Sequence, residues 1–244
     1  MSFDSVYRLL EDRFRGPESL IEERLAVYIP LIQDILDQGH ALTASDLGCG
    51  RGEWLSICSS MGITCCGVDQ NEGMLRSAQS KGFFVVNQDI FAYLAGMPSE
   101  SQDLITAFHV IEHLSHEHIL LLVHEAFRVL RTGGLLILET PNYGNLQVCT
   151  SSFYLDPTHQ TPIQPDLIRL YMEDAGFPVS ASVYLQGCQT HSLPNRPRIY
   201  DILHATAYDL GLVALKQYSS NQKESLVSWA SIANCASLAS TVAS

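Results

Sequence analysis

A glycine-rich loop over residues 46–52 is the segment of this sequence best suited to hold a nucleoside. The loop reads DLGCGRG and follows a short apolar run that predicts a β-strand. Glycines let a backbone turn sharply and approach a ligand closely at the start of a helix. NAD-binding loops space their glycines as G-x-G-x-x-G, whereas this loop is G-x-G-x-G with Asp46 two positions before Gly48. The spacing favours a nucleoside with an amino-acid tail over a pyrophosphate, and NAD remains the alternative ligand.

Two further acidic residues follow the next two predicted strands. Asp69 ends the second strand, where a carboxylate can accept hydrogen bonds from both ribose hydroxyls. Asp89 follows the third strand, where it can accept from an adenine amino group while Ile90 packs against the ring. Either residue could instead cap the helix that follows it. Because three acidic residues stand in register at three successive strand ends, we predict that they line one nucleoside pocket.

The elements that must position these residues are predicted from the periodicity of apolar side chains. From residue 41 onward, short apolar runs alternate with amphipathic segments, which is typical of βα units around a parallel sheet. We predict strands over residues 41–47, 63–69, 83–87, 104–110, 135–139, 179–185 and 210–216. We predict helices from about residue 51 and over residues 72–80, 90–94, 116–130, 164–175 and 196–206.

The flanking segments predict helices and one long loop. Helices are expected over residues 3–14 and 17–36, the second kinked or split at Pro30. The TGG sequence at 132–134 is expected to end the preceding helix, and the proline-containing segment 141–163 predicts a loop or lid. We divide the chain into an N-terminal helical cap over 1–40, an α/β domain over 41–217 and a Ser/Ala-rich tail over 218–244. The tail fits either a helix or a disordered segment.

Composition limits the class of protein and its partners. The 244 residues suffice for one α/β domain with a sizeable core, and 46% apolar with 16% charged residues is typical of globular chains. The longest apolar runs are too short to cross a bilayer, and the N-terminus lacks the apolar core of a signal peptide. Seven cysteines, an odd number, make a poor disulfide framework. From the apolar runs, the N-terminus and the cysteines we expect a cytoplasmic protein that does not insert into membranes. The net charge of −12 would repel a phosphate backbone, so we do not expect nucleic acid as a partner.

Four motifs in order resemble those of class I S-adenosylmethionine-dependent methyltransferases. They are DLGCGRG at 46–52, GVD at 67–69, QDI at 88–90 and HVIEHL at 109–114, and RVLRTGG at 128–134 resembles the turn before that family's fifth strand. The match spans roughly residues 40–216. It implies S-adenosyl-L-methionine as the cofactor. It also implies a Rossmann-like α/β fold, with a seven-stranded, mostly parallel sheet, an antiparallel last strand, helices on both faces and helices in front.

The flanks are similar to the methyltransferase part of bacterial O-antigen chain-terminating enzymes. This likeness rests on Tyr7-Arg8, RFRG at 13–16, Arg24-Leu25, ETPN at 139–142 and FYLDPTH at 153–159. Some of those enzymes methylate the terminal sugar or a terminal phosphate of a polysaccharide, and association with polysaccharide-synthesis enzymes follows as an open expectation. The kinase region that some of them carry is missing from these 244 residues, which makes phosphate the less favoured acceptor.

The motifs and the resemblance together predict the cofactor-binding residues. The N-terminal three, Tyr7, Arg8 and Arg24, would close over the cofactor and meet its carboxylate. The full predicted set is Tyr7, Arg8, Arg24, Asp46, Gly48, Gly50, Gly52, Asp69, Gln70, Asn71, Met74, Gln88, Asp89, Ile90 and His109.

Methyl transfer to an oxygen needs a group that removes a proton, and histidine suits this task because its pKa lies near neutrality. The candidates are His109, Glu112, His113, Asp156 and His159. We prefer His113 and His159 as the catalytic pair, although His113 could cap a helix and His159 could order the loop. Five histidines lie between residues 109 and 124, but no cysteine pair completes a zinc set, so we predict no metal site.

Three hypotheses of function remain open from the sequence. The first is methylation of an oxygen at a glycan end, and the second is methylation of a small acidic metabolite or quinone-type precursor. The third is a catalytically silent domain that binds the cofactor and regulates a partner. The acceptor, and hence the choice between a glycan and a small molecule, is not determined by these motifs.

Overall fold

The fold is one twisted sheet in a computed structural model that describes residues 16–35, 41–186, 206–217 and 220–239. The strands are Thr43–Leu47 (β1), Thr64–Asp69 (β2), Val85–Asn87 (β3), Gln102–Phe108 (β4), Leu130–Pro141 (β5), Val179–Leu185 (β6) and Asp209–Lys216 (β7). Their order is β3-β2-β1-β4-β5-β7-β6. Strands β1 to β5 pair in parallel, and β7 pairs antiparallel with both β5 and β6. The predicted seven-stranded, Rossmann-like sheet with an antiparallel last strand is confirmed.

Helices cover both faces of the sheet. They are Glu18–Leu25 (α1), Ile29–Ile35 (α2), Glu53–Ser60 (α3), Glu72–Ser80 (α4), Ile90–Gly96 (α5), His116–Val129 (α6), Pro165–Ala175 (α7) and Ser220–Ala239 (α8). Because neighbouring strand residues point to opposite faces, Leu135 joins the core beneath α1, α2, α3 and α8. Its neighbour Leu136 joins the core beneath α5, α6 and α7.

The region around β5 differs from its prediction. The TGG sequence at 132–134 was expected to separate a helix from a short strand over 135–139. In the structure α6 ends at Val129 and the strand begins at Leu130, which pairs with Gln102 before a register shift in β4. Gly133 has a φ of +80° and thus absorbs the irregularity within the strand. The glycines therefore form part of an irregular strand rather than a loop.

The N-terminal helix prediction over 17–36 is confirmed as a split helix. A 3₁₀ turn over Ala26–Tyr28 separates α1 from α2, and Pro30 lies in the first turn of α2. Proline fits there because the first-turn N–H groups have no partner within the helix, and it also interrupts the helix in front of it. The helix predicted over 3–14 lies outside the described residues, as does the one over 196–206 except for Thr206.

The C-terminal tail is helical where it is described. Helix α8 buries Leu226 and Trp229 in the core that also holds Tyr28, and Trp229 Nε1 donates to the Val27 carbonyl at 3.0 Å. The division of the chain at residues 40 and 217 stays a prediction. None of the described helices, α8 included, has the length and apolar character needed to cross a membrane.

Candidate active site

The glycine loop lies between β1 and α3, next to the point where the strand order reverses between β1 and β4. In open α/β sheets, ligands bind at this point, beyond the carboxyl ends of the strands. Gly48 and Gly52 have φ values of +74° and +89°, which strain any residue with a side chain. A Cβ at Gly48 would clash with the side chain of Val110, and one at Gly52 would lie 3.0 Å from the ring of Phe83. The loop therefore needs glycine both for its turn and for its close packing.

The carboxylate at the end of β2 is joined to the glycine loop. Asp69 Oδ2 accepts from the Gly50 N–H at 3.0 Å, and Oδ1 accepts from the Asn71 N–H at 2.8 Å. Asn71 caps α4 by accepting from the N–H groups of Gly73 and Met74. The half-buried Asp69 thus orders both the loop and the start of α4, which positions its carboxylate at the carboxyl edge of the sheet.

The other predicted cofactor residues lie around this edge in different environments. Asp89 caps α5 through Oδ1, the alternative that the sequence left open, while its Oδ2 accepts from Gln70 Nε2 at 2.7 Å. Asp46 is buried and accepts from Thr106 Oγ1 at 2.7 Å. Gln88 is exposed, whereas Met74 and Ile90 are buried in their helices. Tyr7 and Arg8 lie outside the described residues.

His109 follows β4 in a left-handed conformation, with a φ of +56° that is uncommon for a residue with a side chain. Its backbone N–H donates to the Glu139 carbonyl at 2.8 Å. Its Nδ1 lies 3.3 Å from Glu112 Oε1, and its Nε2 lies 3.6 Å from Glu139 Oε1 and 3.9 Å from Asp209 Oδ1. The side chain nevertheless keeps 37% of its surface exposed. It is therefore accessible at the carboxyl edge of the sheet, where open α/β sheets have their ligand crevice, here called the cleft.

These carboxylates determine the charge of His109. Burial by itself lowers the pKa of His109, but the interactions with Glu112, Glu139 and Asp209 outweigh it and raise that pKa well above its usual range. The ring is therefore a cation at neutral pH. Burial raises the pKa of Asp209 to about 6, against the opposing charges of His109 and Arg24. The charge of Arg24, a predicted cofactor residue, therefore acts on Asp209, and its role towards the cofactor stays a prediction.

Tyr28 and Glu139 complete this side of the cleft. The Tyr28 hydroxyl donates to Glu139 Oε2 at 2.7 Å, and burial together with the charge of Glu139 raises the pKa of Tyr28 well above its usual range. Tyr28 therefore stays a donor. The sequence analysis assigned no site role to Tyr28, Glu139 or Asp209. The signal for Glu139 was its position at a strand end, like that of Asp69, whereas Tyr28 and Asp209 carried no local signal.

His113 and His159 are brought together by the irregular segment 141–163. Their ring centroids are 4.7 Å apart. The backbone N–H groups of Gln160 and Thr161 donate to the Glu112 carbonyl at 2.8 and 3.0 Å, which holds this segment against the 3₁₀ turn Ile111–His113. The two residues of the predicted catalytic pair are therefore neighbours, although their role stays a prediction.

The hydrogen bonds of both rings assign their tautomers. His159 Nδ1 lies 2.6 Å from the Phe153 carbonyl, which can only accept, so this nitrogen carries the proton. The Thr158 hydroxyl donates to Asp156 Oδ1 at 2.6 Å, and His113 Nδ1 lies 2.8 Å from the same hydroxyl oxygen, so it donates to it. Burial lowers the pKa of His159, which keeps its ring neutral. In its neutral form each ring therefore carries its lone pair on Nε2.

Comparison with known proteins now identifies the family. A family model described as "Methyltransferase domain" matches residues 21–182, which is more than half of the chain. The chain belongs to the class I S-adenosylmethionine-dependent methyltransferases. A chain solved as a SAM-dependent methyltransferase from Archaeoglobus fulgidus is 28% identical, with a TM-score of 0.75 over 86% of this chain and 99% of that one.

Curated relatives of this methyltransferase come from mycobacteria. A "Probable S-adenosylmethionine-dependent methyltransferase" of Mycobacterium tuberculosis is 32% identical over 139 residues, which are 55% of this chain and 49% of that protein. One from Mycolicibacterium smegmatis is 29% identical over 135 residues, 55% of this chain and 51% of the relative. The chain thus spans about half the length of the curated relatives that it matches. A more distant solved structure is phosphoethanolamine N-methyltransferase 2 of Haemonchus contortus in complex with S-adenosyl-L-methionine. It is 14% identical, with a TM-score of 0.58 over 89% of this chain and 60% of that one, so the likeness is one of fold alone.

The cofactor of this methyltransferase is S-adenosyl-L-methionine. The residues present fit it, because the positive-φ glycines turn the loop sharply at the carboxyl ends of β1 and β2, where the half-buried carboxylate of Asp69 holds the Gly50 N–H. The cleft therefore has two sides. One carries the glycine loop with Asp69 and Asp89, and the other carries His109, His113 and His159.

Proposed function

We propose that this methyltransferase transfers a methyl group from S-adenosyl-L-methionine to a hydroxyl oxygen, that of the terminal sugar of a bacterial polysaccharide. The observation that carries the proposal is the pair of neighbouring histidines, in which both Nδ1 atoms are used in hydrogen bonds and burial holds the His159 ring neutral by lowering its pKa. A sugar hydroxyl must lose a proton to become a nucleophile, and a neutral imidazole nitrogen is the side-chain group suited to that at neutral pH.

The charges around the pair favour a neutral acceptor over a phosphate. Burial raises the pKa of Glu112, but the interactions with His109 outweigh it and lower that pKa, so Glu112 is ionised. Asp156 lies beside His159, with Oδ2 4.0 Å from Nε2. An anionic acceptor would be repelled by these carboxylates and would need several cations instead. The charge pattern of this side of the cleft is therefore suited to a hydroxyl.

The chemistry of the step divides between the cofactor and the protein. When bound, the cofactor supplies an electrophilic methyl group on a sulfonium, so an O–C bond forms as the S–C bond breaks and the electron pair stays on sulfur. The protein has to align the acceptor oxygen and remove its proton. We assign both tasks to the side of the cleft with His113 and His159, and the proton passes into the cluster that they form with Asp156.

Exposed aromatic and apolar side chains near the histidine pair support a sugar as the acceptor. Phe153 is buried against His159 at a centroid distance of 4.7 Å, while the next residue, Tyr154, is 60% exposed. Tyr143 packs edge-on against Phe153. An aromatic ring held by a buried neighbour offers a rigid apolar face on which a sugar ring can stack.

For the cofactor side, we assign the nucleoside to the glycine loop and Asp69, and the adenine to the neighbourhood of Asp89 and Ile90. From the sequence likeness to O-antigen chain-terminating enzymes, we expect Tyr7, Arg8 and Arg24 to contact the amino-acid tail. This part of the proposal rests on the position of the loop at the carboxyl edge of the sheet and on the Asp69–Gly50 hydrogen bond.

The acceptor is tested with isotopically labelled S-adenosylmethionine. Purified polysaccharides with a free terminal sugar, the same glycans with a terminal phosphate, and a set of small phenols and acidic metabolites are offered in parallel. We expect label in an O-methyl ether of the terminal sugar. Label confined to small phenols, or binding of S-adenosylhomocysteine without transfer to any acceptor, would refute the proposal in favour of the metabolite enzyme or the silent domain.

The histidine pair is tested in the same assay with a matched control. His159→Ala should lower kcat by about 10²-fold or more, the range of general acid–base contributions. His116→Ala changes an exposed histidine of α6 and should leave transfer unchanged. An unchanged affinity for S-adenosylhomocysteine would show that His159→Ala acts on the acceptor side.

A further inference from the structure

Three side chains from two distant segments converge beside the cleft. Glu112 and His113 belong to the 3₁₀ turn after β4, and His159 belongs to the irregular segment after β5. Each residue offers one possible metal-ligand atom, and these three atoms all lie within 4.8 Å of one another. Glu112 is fully buried, and the two histidines are half-buried. The set therefore has a buried carboxylate at its base and two imidazoles at its open side.

The lone pairs of the set are available for a ligand. In both histidines the neutral ring has its lone pair on Nε2, because Nδ1 is used in a hydrogen bond. His159 Nδ1–H donates to the Phe153 carbonyl, and His113 Nδ1–H donates to the Thr158 hydroxyl. Glu112 Oε2 accepts from Thr140 Oγ1 at 2.9 Å, whereas Oε1 is buried and has no hydrogen-bond partner among the described residues. The ring of His109 lies 3.3 Å from Oε1 but is not aligned for a hydrogen bond. Oε1 therefore has a charged neighbour in His109 but no aligned donor, so one acceptor position of this buried oxygen is left for a ligand.

We propose that Glu112, His113 and His159 bind a divalent transition-metal ion such as Zn²⁺, with coordination positions left open towards the cleft. Two imidazole nitrogens and one carboxylate oxygen are ligands that Zn²⁺ and its neighbours accept in catalytic sites. Mg²⁺ prefers an all-oxygen shell, so this donor set discriminates against it. The prediction of no metal site from the sequence rested on the lack of a cysteine pair near the histidines, and it did not consider a set of two histidines and a carboxylate.

The surroundings of the set match those of a metal site. Histidine ligands commonly donate their other ring N–H to a carbonyl or to a carboxylate-linked group, which fixes the ring and its tautomer. Here His159 donates to a backbone carbonyl, and His113 donates to a threonine hydroxyl that in turn donates to Asp156 Oδ1.

A second cluster nearby is a weaker candidate. Donor atoms of His109, Glu139 and Asp209 also lie within 4.8 Å of one another. Both ring nitrogens of His109 already face carboxylates, at 3.3 and 3.6 Å, and Glu139 accepts from the buried Tyr28 hydroxyl. These internal contacts occupy the groups that a metal would need, so we place the ion at the first set.

The role of the ion rests on the proposed function. A metal ion lowers the pKa of a hydroxyl that it coordinates, so it would let the acceptor oxygen lose its proton near neutral pH. With the ion bound, the histidines act as its ligands and no longer as bases, so their assignment as bases in the proposed function applies to the metal-free chain. The proton then passes to the neighbouring carboxylate of Asp156, whose Oδ2 lies 4.0 Å from His159 Nε2. No electron is transferred and no further reactant is needed.

The experiment measures metal binding directly in the untagged full-length chain. The protein is stripped with a chelator, dialysed against Zn²⁺ and assayed by elemental analysis and by competition with a chromophoric chelator. We expect one Zn²⁺ per chain. Glu112→Gln and His159→Ala should each weaken binding by about tenfold or more, and circular dichroism confirms that the variants fold. Asp209→Asn, which disrupts only the second cluster, should keep the wild-type affinity.

Two outcomes would overturn the site. One is a stripped wild-type chain that binds no Zn²⁺, and the other is binding that survives His159→Ala but is lost in Asp209→Asn. Substitution with Co²⁺ adds a spectroscopic check, because sulfur-to-cobalt charge-transfer absorption would mean that cysteines hold the metal. Binding of S-adenosylhomocysteine is measured on the same samples, so failure of the metal site and failure of the proposed function are separate results.

Discussion

The three carboxylates that the sequence places at successive strand ends have different surroundings in the structure. Asp46 is buried against Thr106, Asp89 caps α5, and Asp69 links the glycine loop to α4. Capping, the alternative that the sequence left open, therefore explains part of the pattern. Asp69 is the residue whose position and contacts are best suited to a cofactor role, because it is ordered by the same loop that turns at Gly48.

At the residue scale, we expect Asp69→Ala to weaken binding of S-adenosylhomocysteine by about tenfold or more. The variant loses a charged acceptor for the ribose and the bond that positions the Gly50 N–H, and charge-assisted hydrogen bonds contribute about 1.5–3 kcal/mol. Titration calorimetry measures the affinity. Glu72→Gln, at an exposed carboxylate in the first turn of α4, serves as the control and should bind like wild type. Equal affinities for Asp69→Ala and wild type would contradict the ribose assignment.

Asp209 gives a pH-dependent prediction at the same scale. Burial raises its pKa from 3.8 to about 6. The charges of Glu139 and Glu112 act in the same direction, and those of His109 and Arg24 act against it. The folded state therefore holds this proton more tightly than the unfolded state. As the pH rises from about 4 to about 6, the free energy of unfolding decreases, because the unfolded chain loses the proton first.

We therefore expect Asp209→Asn to be more stable than wild type at pH 8, with a difference that shrinks as the pH falls from 6 to 4. Urea denaturation at each pH measures it. Asp166→Asn, at a side chain 96% exposed, should show no such trend. A difference between Asp209→Asn and wild type that stays constant with pH would contradict the assignment.

At the scale of elements, α8 belongs to the core rather than to a loose tail. Leu226 is fully buried in the cluster that also holds Tyr28, and Tyr28 in turn reaches Glu139 in the cleft. Helix α8 thus supports, through Tyr28, the side of the site that holds His109. Aromatic contact between Tyr28 and Trp229, at a centroid distance of 5.6 Å, is part of this packing.

We expect Leu226→Ala to lower the free energy of unfolding by about 2–5 kcal/mol, the cost of a cavity in a packed core. Val227, its neighbour on the same helix, is 58% exposed, and Val227→Ala should change stability by less than about 0.5 kcal/mol. Chemical denaturation compares the two. Similar small effects for both variants would mean that α8 is not packed on the sheet in solution.

The irregular segment 141–163 acts as an element in its own right. Asn145, fully buried, donates to the carbonyls of Thr206 and Ala207, which ties the start of the segment to the residues before β7. Its other end is held on Glu112 by Gln160 and Thr161. Anchored at both ends, it holds His159 beside His113 with a fixed ring orientation.

At the scale of the whole molecule, cofactor binding and folding are linked. A ligand that binds only the folded state stabilises it by about 2.7 kcal/mol at a concentration of 100 Kd. For a chain of this size that corresponds to a rise in Tm of roughly 5–10 °C. We expect S-adenosylhomocysteine to produce this shift and NAD at the same concentration to produce none, as measured by calorimetry. A shift with NAD alone would contradict the cofactor assignment.

Local patterns in the sequence were sufficient for most of the fold. Helix α4 and strand β6 have the predicted bounds, because amphipathic and alternating patterns act over a few residues and are complete within the segment. The start of β5 was predicted wrongly because it depends on pairing with a distant strand and not on a pattern within the segment. The pairing of Leu130 with Gln102 extends the strand through two glycines, and no neighbour along the chain signals this pairing.

For the site, the sequence by itself determined which segments carry chemistry: the glycine loop, Asp69, His109 to His113 and His159. Only the tertiary structure decided which of them meet. Asp209 reaches His109 because β7 runs antiparallel beside β5 and brings its first residue to the carboxyl edge of the sheet. Tyr28 reaches Glu139 because the 3₁₀ turn between α1 and α2 packs against the sheet. His159 reaches Glu112 because its segment is bonded back onto the turn after β4. Backbone preferences act over a few residues, whereas these contacts depend on strand order and register, which link positions far apart in the chain.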